Sequence, residues 1–322
     1  MSGVTNMRVL VIGGLGFIGL NLTERLLADG ATVTILTPSR ERHAATATDL
    51  ERRGARVVEG DIRDQALMAA LIDDQQLVFN MSGQSGAVRS MEDPWSDLDL
   101  NLRGNLVLLE SIRASQSRPK LIFAGSRLQY GKPESIPVRE EDMGEPLCIH
   151  AVHKRTVEEY LKLYAHLFGV RYSVARVTNP YGPGQPAGRT AYGVVNRLIH
   201  LALAGQAMTI YGDGMQLRDY VHVADVVDAL LVLALSEHAD GRVYNVASGT
   251  GARMIDVAND IIGIAGGGRI LHVEWPPLAK QIETGDFVAD VSRAAQELGW
   301  APKWSLRAGL EDTIAHYRAS VS

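Results

Sequence analysis

A short apolar run at residues 9–12 ends directly in Gly13, Gly14, Gly16 and Gly19, and the residues behind them space their apolar side chains as a helix does. Few local structures satisfy that order. One glycine permits a tight turn, a second leaves the backbone open to close approach by a ligand, and a third lets helix and strand touch. Amide groups exposed where the helix begins then attract negative charge. The pattern predicts the first unit of a parallel α/β sheet with a seat for the pyrophosphate of a dinucleotide. The backbone expected to form that seat runs through Gly13, Gly14, Gly16, Phe17, Ile18 and Gly19.

The alternation continues downstream. Strands are expected near residues 8–12, 32–36, 56–58, 77–80, 121–123 and 172–176. Helical spacing covers 17–28, 65–72, 97–114 and 151–168, with stripes such as Leu102, Leu106 and Leu109. Right-handed crossovers between such elements give a Rossmann doubly wound parallel sheet. Residues 179–188 concentrate proline and glycine and read as a loop that ends the regular alternation. At 322 residues the chain exceeds one ordinary domain. The expected division is a dinucleotide-binding domain over 7–178, rejoined by segments near 220–247, and a smaller, interleaved C-terminal α/β substrate-binding domain over 179–322. Residues before Met7 read as a short polar leader without chemistry.

The balance of 32 Lys and Arg against 37 Asp and Glu, a net charge of −5, offers no general basic surface, so nucleic acid is not expected as a partner. Cys148 is the only cysteine, which excludes an intrachain disulfide and a cysteine-based metal cluster; no metal is expected. The apolar run at 9–12 is far too short for a membrane span and lacks the flanks of a secretory signal. Cytoplasmic localisation without a membrane partner is the expectation.

The end of the second strand ordinarily supplies a carboxylate to the adenosine ribose. Here Thr37-Pro38-Ser39-Arg40 stands in that place, and hydroxyls with a guanidinium suit a 2′-phosphate better than a free diol. NADP is therefore slightly favoured over NAD, while solvated loop charges remain the alternative for Arg40 and Arg42. Asp61 in Gly60-Asp61-Ile62 is either an acidic turn residue or an acceptor for the adenine amino group, with Ile62 beside it.

Taken together these motifs resemble the extended short-chain dehydrogenase/reductase family, in particular its nucleotide-sugar epimerases, dehydratases and reductases. Residues 13–19 are similar to its glycine turn, Asp61 to its Gly-Asp pattern, and Asn101-Leu102-Arg103-Gly104-Asn105 to its helix motif. Ala124-Gly125-Ser126-Arg127-Leu128-Gln129-Tyr130-Gly131 resembles the segment that carries the catalytic Ser or Thr, and Arg218-Asp219-Tyr220-Val221-His222-Val223 the segment behind the substrate loop. The resemblance implies that Ser126 binds the reacting sugar oxygen and that Lys154 acts with a tyrosine four residues before it. His150 occupies that tyrosine position.

An imidazole there still exchanges a proton near neutrality, although it is shorter than a phenol. Tyr130 and Tyr181 offer substitute hydroxyls but lie outside the motif position. Arg127-Leu128 stands where dehydratases of the family carry acids, which disfavours dehydration. The implied activity is 4-epimerisation through a transient keto sugar, with keto-sugar reduction or a catalytically silent nucleotide-sugar binding protein as alternatives.

At the substrate end, the resemblance assigns Asn179 of Asn179-Pro180-Tyr181-Gly182-Pro183-Gly184 and Arg218 to the diphosphate of a nucleotide-diphosphate sugar, and includes Tyr211-Gly212-Asp213-Gly214. A second family arginine is missing, because Glu283-Thr284-Gly285-Asp286 stands in its place; Arg189 and Arg197 are candidate substitutes. The residues 290–302 resemble the family's closing segment, with Trp300 expected in the core. The family also implies a homodimer through helices 97–114 and 151–168.

Overall fold

The protein is described by a computed structural model over residues 3–185 and 193–321. Six strands alternate with helices in the first half: β1 (Arg8–Ile12), β2 (Thr32–Thr37), β3 (Arg56–Glu59), β4 (Leu77–Asn80), β5 (Lys120–Ser126) and β6 (Tyr172–Val177). They are followed by β7 (Asn179–Tyr181), β8 (Ala207–Tyr211), β9 (Leu217–His222), β10 (Arg242–Val246), β11 (Gly251–Arg253) and β12 (Arg269–Val273). The main sheet is parallel throughout, in the order β10-β6-β5-β4-β1-β2-β3.

The continuous apolar runs follow from burial on both faces of this sheet. Val9 and Val11 of β1 pack with Val33, Ile35, Phe79 and Ile122 on one side, under the helices Phe17–Ala28 and Val223–Leu235. Leu10 and Ile12 point the other way and join Leu36, Val78, Leu121 and Phe123 beneath the helices Gly104–Ala114 and Ile149–Phe168. Between β1 and β4 the strand order reverses, which opens a crevice at the carboxyl edge of the sheet. Gly13 follows β1 at that edge, and Ser126 ends β5 there.

Beyond Val177 the chain builds a smaller cluster. β9 lies between β7, parallel to it, and β11, antiparallel to it, while β8 and β12 form a parallel pair. Ile199, Met208, Ile210, Ile261 and Ile314 fill the core between them.

Three expectations need correction. Val4 is buried and Asn6 N donates to Gly30 O at 2.8 Å, so the leader ahead of Met7 packs onto the core. The helix expected over 97–114 is three pieces: Pro94–Asp97, a π-helical turn Leu98–Arg103, and Gly104–Ala114. The π turn carries one extra residue per turn and rolls polar Asn101 into the interior. The helix expected from 151 starts at Ile149, which places His150 in its first turn. Trp300 is in the core as expected, and its indole Nε1 has no hydrogen-bond partner there. No helix among the described residues is long and apolar enough to cross a membrane.

Candidate functional site

The glycine turn owes its shape to backbone that no side chain obstructs. Gly13 has φ +78°, and its N donates to Leu36 O at 2.9 Å. A Cβ at Gly13 would press on Met81 O and Ser82 N at 3.0 Å, and one at Gly19 would overlap the carbonyl oxygen of Gly13. Gly16 precedes the helix Phe17–Ala28 without any side-chain cap, and no acidic residue sits in the first turn. The first amides of the helix, flanked by half-buried Phe17 and Ile18, are thus left for an anionic partner. This cradle fits a dinucleotide pyrophosphate.

At the adenosine end the side chains are more committed than their types suggest. Arg40 pairs with Glu51 at 2.6 Å, and its backbone N donates to Glu59 Oε2 at 2.8 Å. Glu59 is brought there by sheet register, opposite Thr37. Thr37 is buried and donates to Ser39 O at 3.4 Å, while Ser39 Oγ accepts from Arg42 N at 3.3 Å. Asp61 accepts three hydrogen bonds from Arg63, which hold its carboxyl below the usual range. Ile62 is buried against Gly104, where a Cβ would meet Ile62 Cγ2 at 2.6 Å.

Ser126 closes β5 in a reciprocal capping box: its Oγ accepts from Leu128 N at 3.3 Å, and Gln129 Oε1 accepts from Ser126 N at 2.7 Å. That leaves the hydroxyl proton free to be donated. Lys154 Nζ donates to Ala124 O at 2.8 Å, two residues before Ser126, and lies 4.6 Å from the centre of the Phe123 ring. Burial pushes its ammonium down to about 8, against the pull of Asp97 and Glu158. The helix carrying Lys154 is locked to the sheet by the buried pair of Glu158 with Arg176 on β6, at 2.6 Å, and Gln129 Nε2 donates to the same carboxylate at 2.7 Å.

His150 is 4 % exposed. Its Nδ1 lies 3.6 Å from Asp97 Oδ2 and 3.4 Å from Asn101 Nδ2. The longer approach is an electrostatic contact and not a full hydrogen bond. His153, one turn on, brings its Nδ1 to 2.7 Å from Asp97 Oδ1, so a fully buried carboxylate sits between two imidazoles. Burial pushes the Asp97 carboxyl up, but the contacts with His150 and His153 prevail and hold it below its ordinary range. Burial pushes the His150 imidazole down, Lys154 adds to that, and Asp97 opposes it. In the neutral imidazole one ring nitrogen carries the proton and the other keeps the lone pair that a proton acceptor needs. Asn101 is held by its donation to Gln84 O at 2.8 Å, and its buried Oδ1 has no hydrogen-bond partner.

At the substrate end, Asn179 Nδ2 donates to Asp219 O at 2.7 Å and Asn179 Oδ1 accepts from Arg127 Nε at 3.0 Å. Arg218 is buried, donates to Gly285 O at 2.7 Å and forms an ion pair with Glu283. Glu283 therefore neutralises Arg218. Arg189 lies outside the described residues, and Arg197 is half-buried on the helix Val194–Leu203. Neither substitute hydroxyl is free: Tyr130 is buried and donates to Asn245 Oδ1 at 2.6 Å, and buried Tyr181 donates to Leu306 O at 3.2 Å. Burial pushes both phenols upward.

Asp97, His153, Glu59 and the contacts of Arg127 were missing from the sequence reading. His153 lies between His150 and Lys154, three residues after His150, and that spacing on a helix was the one available signal. Asp97 and Glu59 carry no such signal, because the packing of the short helix Pro94–Asp97 on the helix Ile149–Phe168 and the strand register bring them in.

The family model described as the NAD dependent epimerase/dehydratase family matches residues 9–247. The chain is 32% identical over 315 residues to UDP-glucose 4-epimerase of Mycolicibacterium smegmatis, covering 97% of this chain and 99% of that protein. Its structure is similar to that of UDP-glucose 4-epimerase from Thermotoga maritima with UDP-glucose, at TM-score 0.90 and 29% identity over 98% of this chain and 100% of that one. The Thermus thermophilus UDP-glucose 4-epimerase complex with NAD is similar at TM-score 0.87 and 30% identity, over 98% and 100% of the two chains.

Proposed function

Because the chain belongs to the NAD dependent epimerase/dehydratase family, we propose that it is a nucleotide-sugar 4-epimerase that works through a transient keto sugar with His150 in place of a phenol. The observation that carries this reading is a neutral, buried imidazole beside Asp97 on the helix whose Lys154 is tied to the strand of Ser126. The similar proteins named as UDP-glucose 4-epimerases support the reaction.

Residues 7–178 with the returning segment near 220–247 hold the cofactor, and 179–322 mainly the sugar nucleotide. Gly13, Gly14, Gly16, Phe17, Ile18 and Gly19 seat the pyrophosphate; Thr37, Ser39, Arg40, Asp61, Ile62, Asn101 and Lys154 line the rest of the dinucleotide. A bound nicotinamide supplies reversible hydride acceptance at the sugar carbon. His150 Nε2 takes the hydroxyl proton, Ser126 donates to the sugar oxygen, and Asp97 steadies the imidazolium that results. Asn179 and Arg218 hold the diphosphate. The Glu59 carboxylate and the Arg40–Glu51 pair favour NAD over NADP, reversing the balance that residue types alone suggested, because both oppose a 2′-phosphate. Exposed Leu106 on one helix and Val152, Leu163, Leu167 and Phe168 on the other support homodimerisation through these two helices.

Purified protein with NAD should interconvert UDP-glucose and its 4-epimer. His150→Ala should lower kcat by about 10²–10⁴-fold, as expected for loss of a positioned general base, with NAD affinity retained. Binding of UDP-, GDP-, dTDP- and CDP-sugars without conversion of any would overturn the reading in favour of a silent binding protein.

A further inference from the structure

Arg127 directly follows Ser126 and opens the short helical turn Arg127–Tyr130. Its half-buried guanidinium donates Nε to Asn179 Oδ1 at 3.0 Å and Nη1 to Thr284 Oγ1 at 2.9 Å, and lies 5.8 Å from the centre of the Phe287 ring. These partners are all uncharged. Among the described residues no carboxylate comes within ion-pair distance of Arg127, and Nη2 makes no hydrogen bond. Arg218, across the same loop, has Glu283 as its counter-ion. Of these three charged groups, two cancel, and the net positive charge stays on Arg127. Burial together with the repulsion from Arg218 outweighs the more distant pull of Glu283 and draws the Arg127 guanidinium down to about 10.

A guanidinium held by neutral acceptors is costly to desolvate unless an anion completes it, and its planar fork matches the paired oxygens of phosphate or carboxylate. We propose that Arg127 forms an oxyanion-binding subsite for the substrate, one residue from Ser126, which replaces the cation lost at position 283. The subsite rests on the sugar-nucleotide reading above and specifies how that ligand is gripped. The oxyanion is either the diphosphate or a carboxylate on the sugar.

Binding of uridine, UDP, UDP-glucose and UDP-glucuronate to the NAD-loaded wild type, Arg127→Gln and Arg127→Lys, measured by calorimetry, separates these sources. Loss of one charge-assisted contact should weaken binding by about tenfold or more. With the diphosphate as ligand, Arg127→Gln weakens UDP and UDP-glucose alike and leaves uridine unchanged. With a sugar carboxylate, it weakens UDP-glucuronate alone. Arg127→Lys, which keeps the charge and loses the fork, should fall between wild type and Arg127→Gln, and it decides the matter should the Gln variant fail to bind NAD. Variants that bind NAD and every UDP compound as the wild type does overturn the subsite while leaving the proposed function standing. A wild type that binds none of the UDP compounds overturns both.

Discussion

Gly19→Ala tests the dinucleotide cradle most directly, because sterics are its only obstacle. Gly19 lies in the helix Phe17–Ala28 and is absent from the positive-φ glycines, so alanine is conformationally acceptable there. In an open helix the change stabilises by about 0.5–1 kcal/mol. Here the added Cβ would overlap Gly13 O and stand 2.9 Å from both Gly13 C and Gly14 Cα, all of them backbone. Ordinary carbon contacts are roughly 3.5–4.0 Å, so the turn must retreat by about 0.6–1 Å. Overpacking of this kind costs about 1–3 kcal/mol, for a net loss on the order of 1–2 kcal/mol.

The larger effect falls on binding. Misaligning one charge-assisted amide contact to the pyrophosphate costs about 1.5–3 kcal/mol, which is roughly 10- to 150-fold in Kd. Gly263→Ala supplies the internal control: it lies in the helix Met254–Ala265, a Cβ there meets nothing within 4 Å, and φ is not positive. That variant should gain about 0.5–1 kcal/mol and bind NAD normally. Calorimetric titration with NAD and thermal unfolding of both variants provide the readout. A folded Gly19→Ala protein whose NAD affinity stays within about twofold of wild type would refute the claim that this turn seats the dinucleotide.

Two other consequences are open to measurement. The Lys154 ammonium titrates at about 8 in the fold against 10.5 when free. Between those values the unfolded chain binds the proton and the native one does not, so stability rises with pH across that window; the gap amounts to roughly 3 kcal/mol. Lys154→Met should flatten this rise in denaturant titrations, and an unchanged slope between the two proteins would contradict the assignment. Leu163→Glu with Leu167→Glu should convert a dimer to monomer in sedimentation, and a doubly substituted protein that stays dimeric would exclude the helix Ile149–Phe168 as the interface.

Much of the chemistry was legible from residue order. Strand, turn and helix around Gly13–Gly19 are local, so their spacing alone located the cradle. Ser126 and Lys154 were singled out only by the resemblance of their motifs to the family, since periodicity alone reads them as a strand-end hydroxyl and a helical charge. Their environment was not legible. Whether Arg40 is free for a phosphate depends on Glu51, eleven residues away on a helix, and on Glu59 from the neighbouring strand. Whether Glu283 repels a diphosphate or cancels Arg218 depends on a contact between residues 65 positions apart.

The order of residues therefore determined the parallel sheet and the glycine turn that follows its first strand, since each follows from patterns a few residues long. Tertiary structure decided how the charges pair: Asp97 meets His150 and His153 because the short helix Pro94–Asp97 packs against the helix Ile149–Phe168, and Arg127 keeps no counter-ion while Glu283 turns to Arg218. The physical reason is that periodicity records which side of an element is buried. Electrostatic pairing is set by distances between elements, and no local pattern encodes those.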